Sequence, residues 1–314
     1  MAVELYKETY TGKILEVTIG TGDKAIKVGG ESCYPFYIWE GEMPNPPRVA
    51  FGIWDADTDK WPDALKEPYK DVLNDVSAWA KKDVEEYGAE LLCLKLQSTD
   101  PNGQNADADS VLPTVEKVLN AVDVPLIVSG VANIEKDREV LRKVMEKFEG
   151  KNLVIWPVEE DNHKQLGAPA IGFGHIVAAS TPIDVNLAKQ LNTLLENLGV
   201  KPERIIMDPT TGALGYGIEY SYSVMERDRM AALVQQDEKM QKPLINFVGP
   251  EVWKIKETNQ TTEEAPKLGE QKLRGVIYEA ITAIMTLLAG SDIVVMLHPE
   301  AIAKTKQLIK ELLS

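Results

Sequence analysis

Eight apolar, β-prone segments, each trailed by a stretch of helical periodicity, predict an α/β chain folded as a closed (β/α)8 barrel of the TIM type with an N-terminal β-hairpin extension. Two observations support the closed form. The strand candidates are continuous in Val, Ile and Leu, which suits burial on both faces of a parallel sheet. The stretch from Arg48 onward also has the ~250 residues that such barrels take. A doubly wound open sheet would use fewer strands and carry a glycine-rich fingerprint after the first, whereas the first strand here runs into "GIWDADTDKWPD".

The elements follow in order. Residues 1–47 form a separate N-terminal unit, in which "KILEVTIGTGDKAIKVGG" alternates apolar and polar on either side of a Gly-Asp turn and therefore reads as a hairpin. "EGEMPNPPR" then runs extended through its prolines. The hairpin is expected to cover the N-terminal end of the barrel or to pack on its outer helices, with no chemistry of its own. Residues 48–314 make the barrel. "RVAFGIWDA" is its first strand, and the helical stretch after it stops at Gly88. "AELLCLKLQ", "VPLIVSGV" and "NLVIWPV" are the second to fourth; the helix between the last two has Gly150 as a natural C-cap. "IVAAST", "RIIMDP", "PLINFVG" and "SDIVVMLH" complete the set, the last closed by the helix "PEAIAKTKQLIKELL".

Composition bounds the function. The formal net charge of −15 argues against a phosphate-backbone partner, so no nucleic acid is expected. The longest apolar run, "AITAIMTLLAG", is too short to span a bilayer, and no signal layout opens the chain. With only Cys33 and Cys93, the expectation is a cytoplasmic protein with reduced thiols. Two cysteines and three scattered histidines also exclude an iron–sulfur cluster bound by this chain alone.

Function in a parallel barrel gathers where strands run into helices. Those ends here are rich in short amides, hydroxyls and carboxylates: Asp55–Asp57, Gln97–Asn102, Gly130–Asn133, Glu159–Asp161, Thr181–Pro182, 208–222, Asn246–Gly249 and His298–Pro299. No lysine ends the sixth strand for a Schiff base, and Lys95 falls mid-strand. No histidine pair has metal-ligand spacing, and glycine-rich phosphate loops after the last two strands are missing. These absences argue against aldolase, metallohydrolase and phosphosugar chemistry, and neither a catalytic nor a metal-binding residue is assigned. "DADTDK" lacks the glycine and terminal glutamate of a calcium loop, so capping and solvation account for Asp55, Asp57 and Asp59. "DNHKQLG" approaches a corrinoid-ligating Asp-x-His-x-x-Gly pattern, but three residues separate His163 from Gly167; a helix N-cap at Asp161 is expected instead.

The stretches "GGESCYPFYIWEGEMPNPPRVAFGIWD", "STDPNGQN" and "DPTTGALGYGIEYSYSVMER" resemble the small (delta) subunit of the corrinoid iron–sulfur protein of the reductive acetyl-CoA pathway, over essentially the whole chain. The resemblance implies a barrel related to pterin-binding methyltransferases. It implies a large-subunit partner that carries the iron–sulfur cluster and a corrinoid domain. It also implies a cobamide methylated from methyltetrahydrofolate by a separate methyltransferase and demethylated at acetyl-CoA synthase/CO dehydrogenase. The site is expected at Thr210, Thr211, Gly212, Ala213, Gly215 and Tyr216, with Gln97, Asn133 and Asn246. Glycines there let backbone approach a large flat ligand, and the threonines bond the amides of a corrin. Two readings stay open beside it: a free-standing pterin-dependent methyltransferase using Asp100, Asn102 and Asn133, and a scaffold that touches no cofactor.

Overall fold

A computed structural model describes residues 6–314. The strands are β1 (Val17–Ile19), β2 (Ile26–Val28), β3 (Arg48–Trp54), β4 (Leu92–Lys95), β5 (Leu126–Ser129), β6 (Val154–Val158), β7 (Ile176–Ser180), β8 (Ile205–Asp208), β9 (Ile245–Phe247) and β10 (Ile293–Met296). The helices are α1 (Asp63–Lys66), α2 (Val76–Glu85), α3 (Ala108–Ala121), α4 (Ile134–Lys147), α5 (His163–Phe173), α6 (Val185–Leu198), α7 (Glu219–Leu233), α8 (Val248–Val252), α9 (Lys256–Asn259), α10 (Gln271–Ala289) and α11 (Pro299–Leu312).

β3 to β10 form one parallel sheet in the order β8-β7-β6-β5-β4-β3-β10-β9. A parallel bridge between Met207 and Leu244 joins its two edges, so the sheet closes. All eight strands expected from the sequence are present, each followed by helix. Closure removes the exposed sheet edge, and alternation along each strand sorts the side chains. Val49, Phe51, Ile53, Leu92, Leu94, Val128, Ile155, Val177, Val294 and Met296 pack outward under the helices. Ala50, Cys93, Ile127, Val154, Ala178, Ile206, Ile245 and Ile293 belong to a second core inside the barrel.

The hairpin β1–β2 supplies the rest of that inner core. Val17, Ile19, Ile26 and Val28, one face of each strand, are buried against the barrel interior, while Thr18 and Lys27 face solvent. The hairpin therefore covers the N-terminal end of the barrel. Its β-turn end is anchored by Asn152, whose Nδ2 donates to Thr18 O at 2.7 Å and Gly20 O at 2.9 Å. Gly20 is required there: φ is 78°, and a Cβ would stand 2.7 Å from the Pro125 ring. The segment before the hairpin joins the far side of the molecule through Gly12 N to Leu233 O and Leu15 N to Gln241 O.

Candidate functional site

With one end covered, the open end is the C-terminal mouth, and strand parity decides what lines it. Two residues beyond the inward Ala50–Gly52 pair, and beyond Cys93, Ile127, Val154, Ala178, Ile206 and Ile245, stand Trp54, Lys95, Ser129, Trp156, Ser180, Asp208 and Phe247. Together with the loop after β8 and with α8 they line a cavity of about 470 Å³. That lies within the usual size range for small-molecule sites, ~300–1,000 Å³.

Asp208 is the buried acid of this layer. Its Oδ2 accepts from Trp156 Nε1 at 2.6 Å and Ser180 Oγ at 2.8 Å, and its Oδ1 from Thr210 N at 2.9 Å. Burial raises its pKa to about 6, against those three donors. Trp156 stacks at a tilt on Phe247, ring centroids 4.1 Å apart. Lys95 carries its ammonium 5.4 Å from the Trp54 ring centroid and 5.7 Å from that of Trp156. Its single hydrogen bond is a long one, 3.4 Å to Gly130 O. Burial lowers its pKa, and Lys254 adds to that. Glu159 also lines the cavity, its pKa raised by burial and then by Asp137 and Asp208. Lys254 is paired with Glu251 at 2.7 Å.

The expected site residues separate into two groups. Thr210, Thr211 and Gly212 line the cavity. Thr210 takes φ 57°, held by the Asp208 carboxylate on its N–H and by Ser221 Oγ on its carbonyl. Asn246 is buried behind this edge, with Nδ2 donating to Thr211 Oγ1 at 3.3 Å and Oδ1 without a partner. Ala213 is tucked under the loop, and Gly215 and Tyr216 stand on the outer rim, Tyr216 92% exposed. Gln97 and Asn133 lie outside the cavity. Gln97 Nε2 donates to Asp100 at 3.2 Å, and Asn133 caps α4 by accepting from Lys136 N at 3.1 Å. Asp100 is itself engaged by Asn102 N at 2.8 Å in a turn beyond the rim.

Two local expectations are corrected. Lys95 is not mid-strand: Leu96 leaves the sheet at φ −84°, ψ 59°, so β4 ends at Lys95 and delivers it to the mouth. The N-cap position of α5 belongs to Asn162 rather than Asp161, and the Asn162 side chain turns back to accept from Glu159 N at 2.8 Å. Lys95 and Trp156 were missed, and Glu159 and Asp208 were placed at strand ends without being assigned to the site. The signal for three of them was available in the two-residue alternation, which places Lys95, Trp156 and Asp208 inward once Cys93, Val154 and Ile206 are taken as core. His163 remains occupied locally, its Nδ1 2.5 Å from Glu160 O. No metal-holding cluster of His, Cys, Asp or Glu occurs among the described residues, and none of their helices is long and apolar enough to cross a membrane.

Solved structures with a similar fold include dihydropteroate synthase from Xanthomonas albilineans, at TM-score 0.56 and 13% identity over 95% of this chain and 97% of that one. The Thermus thermophilus enzyme gives 0.54 and 16% over 94% and 98%. At such identity the likeness concerns the barrel alone. Sequence relatives are nearer. Acetyl-CoA decarbonylase/synthase complex subunit delta of Archaeoglobus fulgidus is 36% identical over 98% of this chain and 70% of its own length. Subunit delta 1 of Methanosarcina thermophila is 37% identical over 96% and 71%. A family model described as CO dehydrogenase/acetyl-CoA synthase delta subunit matches residues 16–306. A closed barrel with its mouth built from strand ends, matched along nearly its whole length to these subunits, belongs to the delta-subunit family of the acetyl-CoA decarbonylase/synthase complex.

Proposed function

We propose that this chain is the small subunit of a heterodimeric corrinoid iron–sulfur methyl carrier, and that its barrel mouth forms one wall of the cobamide site. The observation that carries the reading is the edge Thr210–Thr211–Gly212. It brings the Thr210 side chain and side-chain-free backbone to the rim of the mouth, with the buried Thr211 lining the cavity beneath, and an added Cβ at Gly212 would meet nothing within 4 Å. Behind it, Asn246 Nδ2 donates to Thr211 Oγ1, and Asn246 Oδ1 has no partner. Such a set suits the amide-fringed, flat edge of a corrin.

The corrinoid, when bound, supplies the methyl-accepting cobalt. This chain's part is binding, orientation and dryness. Thr210 and Thr211 bond peripheral amides, Gly212 and Gly215 admit the ring edge, and the exposed Tyr216 offers apolar cover. Gln97 and Asn133, outside the cavity and farther around the rim, would meet the periphery of the cobamide. Trp54, Trp156 and Phe247 supply the apolar part of the wall beneath. The partners in this scheme are the large subunit with the iron–sulfur cluster, the methyltetrahydrofolate methyltransferase and acetyl-CoA synthase/CO dehydrogenase, and the setting is the cytoplasm. Native co-purification tests it. The reading requires cobalt and iron in a stable heterodimer, with both metals absent from the separated small chain. Recovery of this chain alone, or of a heterodimer without cobalt, overturns it.

A further inference from the structure

The cavity below the mouth holds a cation without an ion pair. Lys95 Nζ is flanked by two indole rings, makes one 3.4 Å hydrogen bond to a carbonyl, and forms no ion pair with any carboxylate of the described residues. A half-buried ammonium between two indole rings lacks the partner that such charges ordinarily have. The other cation of the cavity, Lys254, is already matched by Glu251. Asp208 forms no ion pair with Lys95; its oxygens accept from Trp156, Ser180 and Thr210 instead.

We propose that this cavity binds a small organic monocarboxylate, with Lys95 as its counter-ion and the Trp156–Phe247 pair against its carbon body. Size and charge select the class. About 470 Å³ holds a compact acid beneath whatever spans the mouth. Lys95 offers one positive charge free of any ion pair, and the carboxylates of Glu159, Glu251 and Asp208 around the same space repel a dianion such as phosphate more strongly than a monoanion. Trp156 and Phe247, 4.1 Å apart, present apolar surface, and Thr181 offers a hydroxyl for the second carboxylate oxygen. The lowered pKa of Lys95 agrees with an ammonium that lacks a counter-charge. The inference concerns this chain alone and goes beyond the corrinoid reading; it holds whether or not a cobamide covers the mouth.

The test uses the full chain with benzoate, acetate and inorganic phosphate, read by calorimetry and by tryptophan fluorescence, since Trp54 and Trp156 flank the charge. Benzoate should bind saturably and change the fluorescence, acetate should bind more weakly, and phosphate at least tenfold more weakly than benzoate. Lys95→Met, which keeps the length of the stem and removes the charge, should lose at least tenfold in benzoate affinity. Glu159→Gln, which removes a competing negative charge, should tighten benzoate; it also keeps the proposal open to refutation if Lys95→Met does not fold. Absence of saturable benzoate binding, equal affinity for phosphate, unchanged binding in Lys95→Met, or weakened binding in Glu159→Gln would each overturn the proposal.

Discussion

Trp156 donates its indole N–H to the Asp208 carboxylate at 2.6 Å, across β7, which lies between their two strands and adds Ser180 to the same oxygen. This bond fixes the ring that lines the mouth and is one of three donors holding a buried carboxylate. The raised pKa of Asp208, about 6 against the ordinary 3.8, means that its protonated form is favoured by folding. Its contribution to stability is complete below pH ~4 and is lost as pH rises through about 6, a change of roughly 3 kcal/mol. Trp156→Phe removes a donor to the charged form. The variant should be destabilised by about 1–3 kcal/mol more at pH 7.5 than at pH 5. Urea unfolding at the two pH values measures this, and an equal loss at both would show that the hydrogen bond carries no charge-dependent stability.

Glu279 should behave in a related way on the opposite flank. Its Oε1 accepts from Leu297 N at 2.5 Å, and its Oε2 from Trp253 Nε1 at 2.8 Å and His298 N at 3.1 Å. Burial raises its pKa to about 7. A glutamine there turns an NH2 toward at least one of these donors, so Glu279→Gln should cost about 1–3 kcal/mol. Because the raised-pKa contribution fades as pH climbs through about 7, wild type should lose more stability between pH 5 and 8 than the variant does. Parallel pH profiles would refute the assignment.

The fold was legible because a closed parallel barrel has strands buried on both faces, and eight continuous apolar runs separated by helical stretches have few other solutions. The hairpin was legible from alternation around Gly22–Asp23, and its burial against the barrel interior matches that pattern. The site was less legible, for two physical reasons. Apolar character continues past the end of β4, since Leu96 is buried in the outer core and its N–H still bonds Ser129 O on β5 at 2.8 Å, and this masked the strand end that presents Lys95. Trp54, Trp156 and Phe247 have the composition of core residues and differ from core only in standing one layer higher. Asn133, conversely, has the composition of a ligand-binding residue and serves as a helix cap.

The hairpin is expected to contribute as a true part of the core. Ile19 is fully buried in the inner cluster, so Ile19→Ala should cost about 2–5 kcal/mol, whereas Thr18→Ala on the exposed face should stay within about 0.5 kcal/mol. Thermal and urea unfolding of both variants would check the contrast, and a silent Ile19→Ala would show that the barrel closes its own end.

Loop glycines after β8 separate cleanly into two tests. Gly212 has no positive φ and open space at its Cβ position, so Gly212→Val should leave stability within about 0.5 kcal/mol. Gly215 has φ 89°, and valine there should cost about 1–3 kcal/mol. If the rim holds the cobamide, both should lower corrinoid retention in the reconstituted heterodimer, while Gly150→Ala, at φ 73° beyond α4, should affect stability only. Wild-type retention by Gly212→Val would move the binding wall elsewhere.

Both thiols should be unreactive in the native chain. Cys33 and Cys93 are buried, and burial pushes their pKa values to about 11 and about 12. Iodoacetamide at pH 8 should modify both in urea at least a hundredfold faster than in buffer. Rapid native labelling of Cys93 would mean that the barrel floor opens.

The pairing of β3 with β10, Arg48 beside Ile293, sets an order in time. A ribosome delivers the first barrel strand more than two hundred residues before the neighbour that completes it. The hairpin waits equally long for the floor it covers, and Gly12 waits for Leu233. Until α10 and β10 emerge, Val17, Ile19, Ile26 and Val28 have no complete surface to meet. A newborn chain of this kind spends most of its synthesis with an unsealed, sticky interior, which makes it a natural client for holding chaperones and a poor candidate for C-terminal truncation.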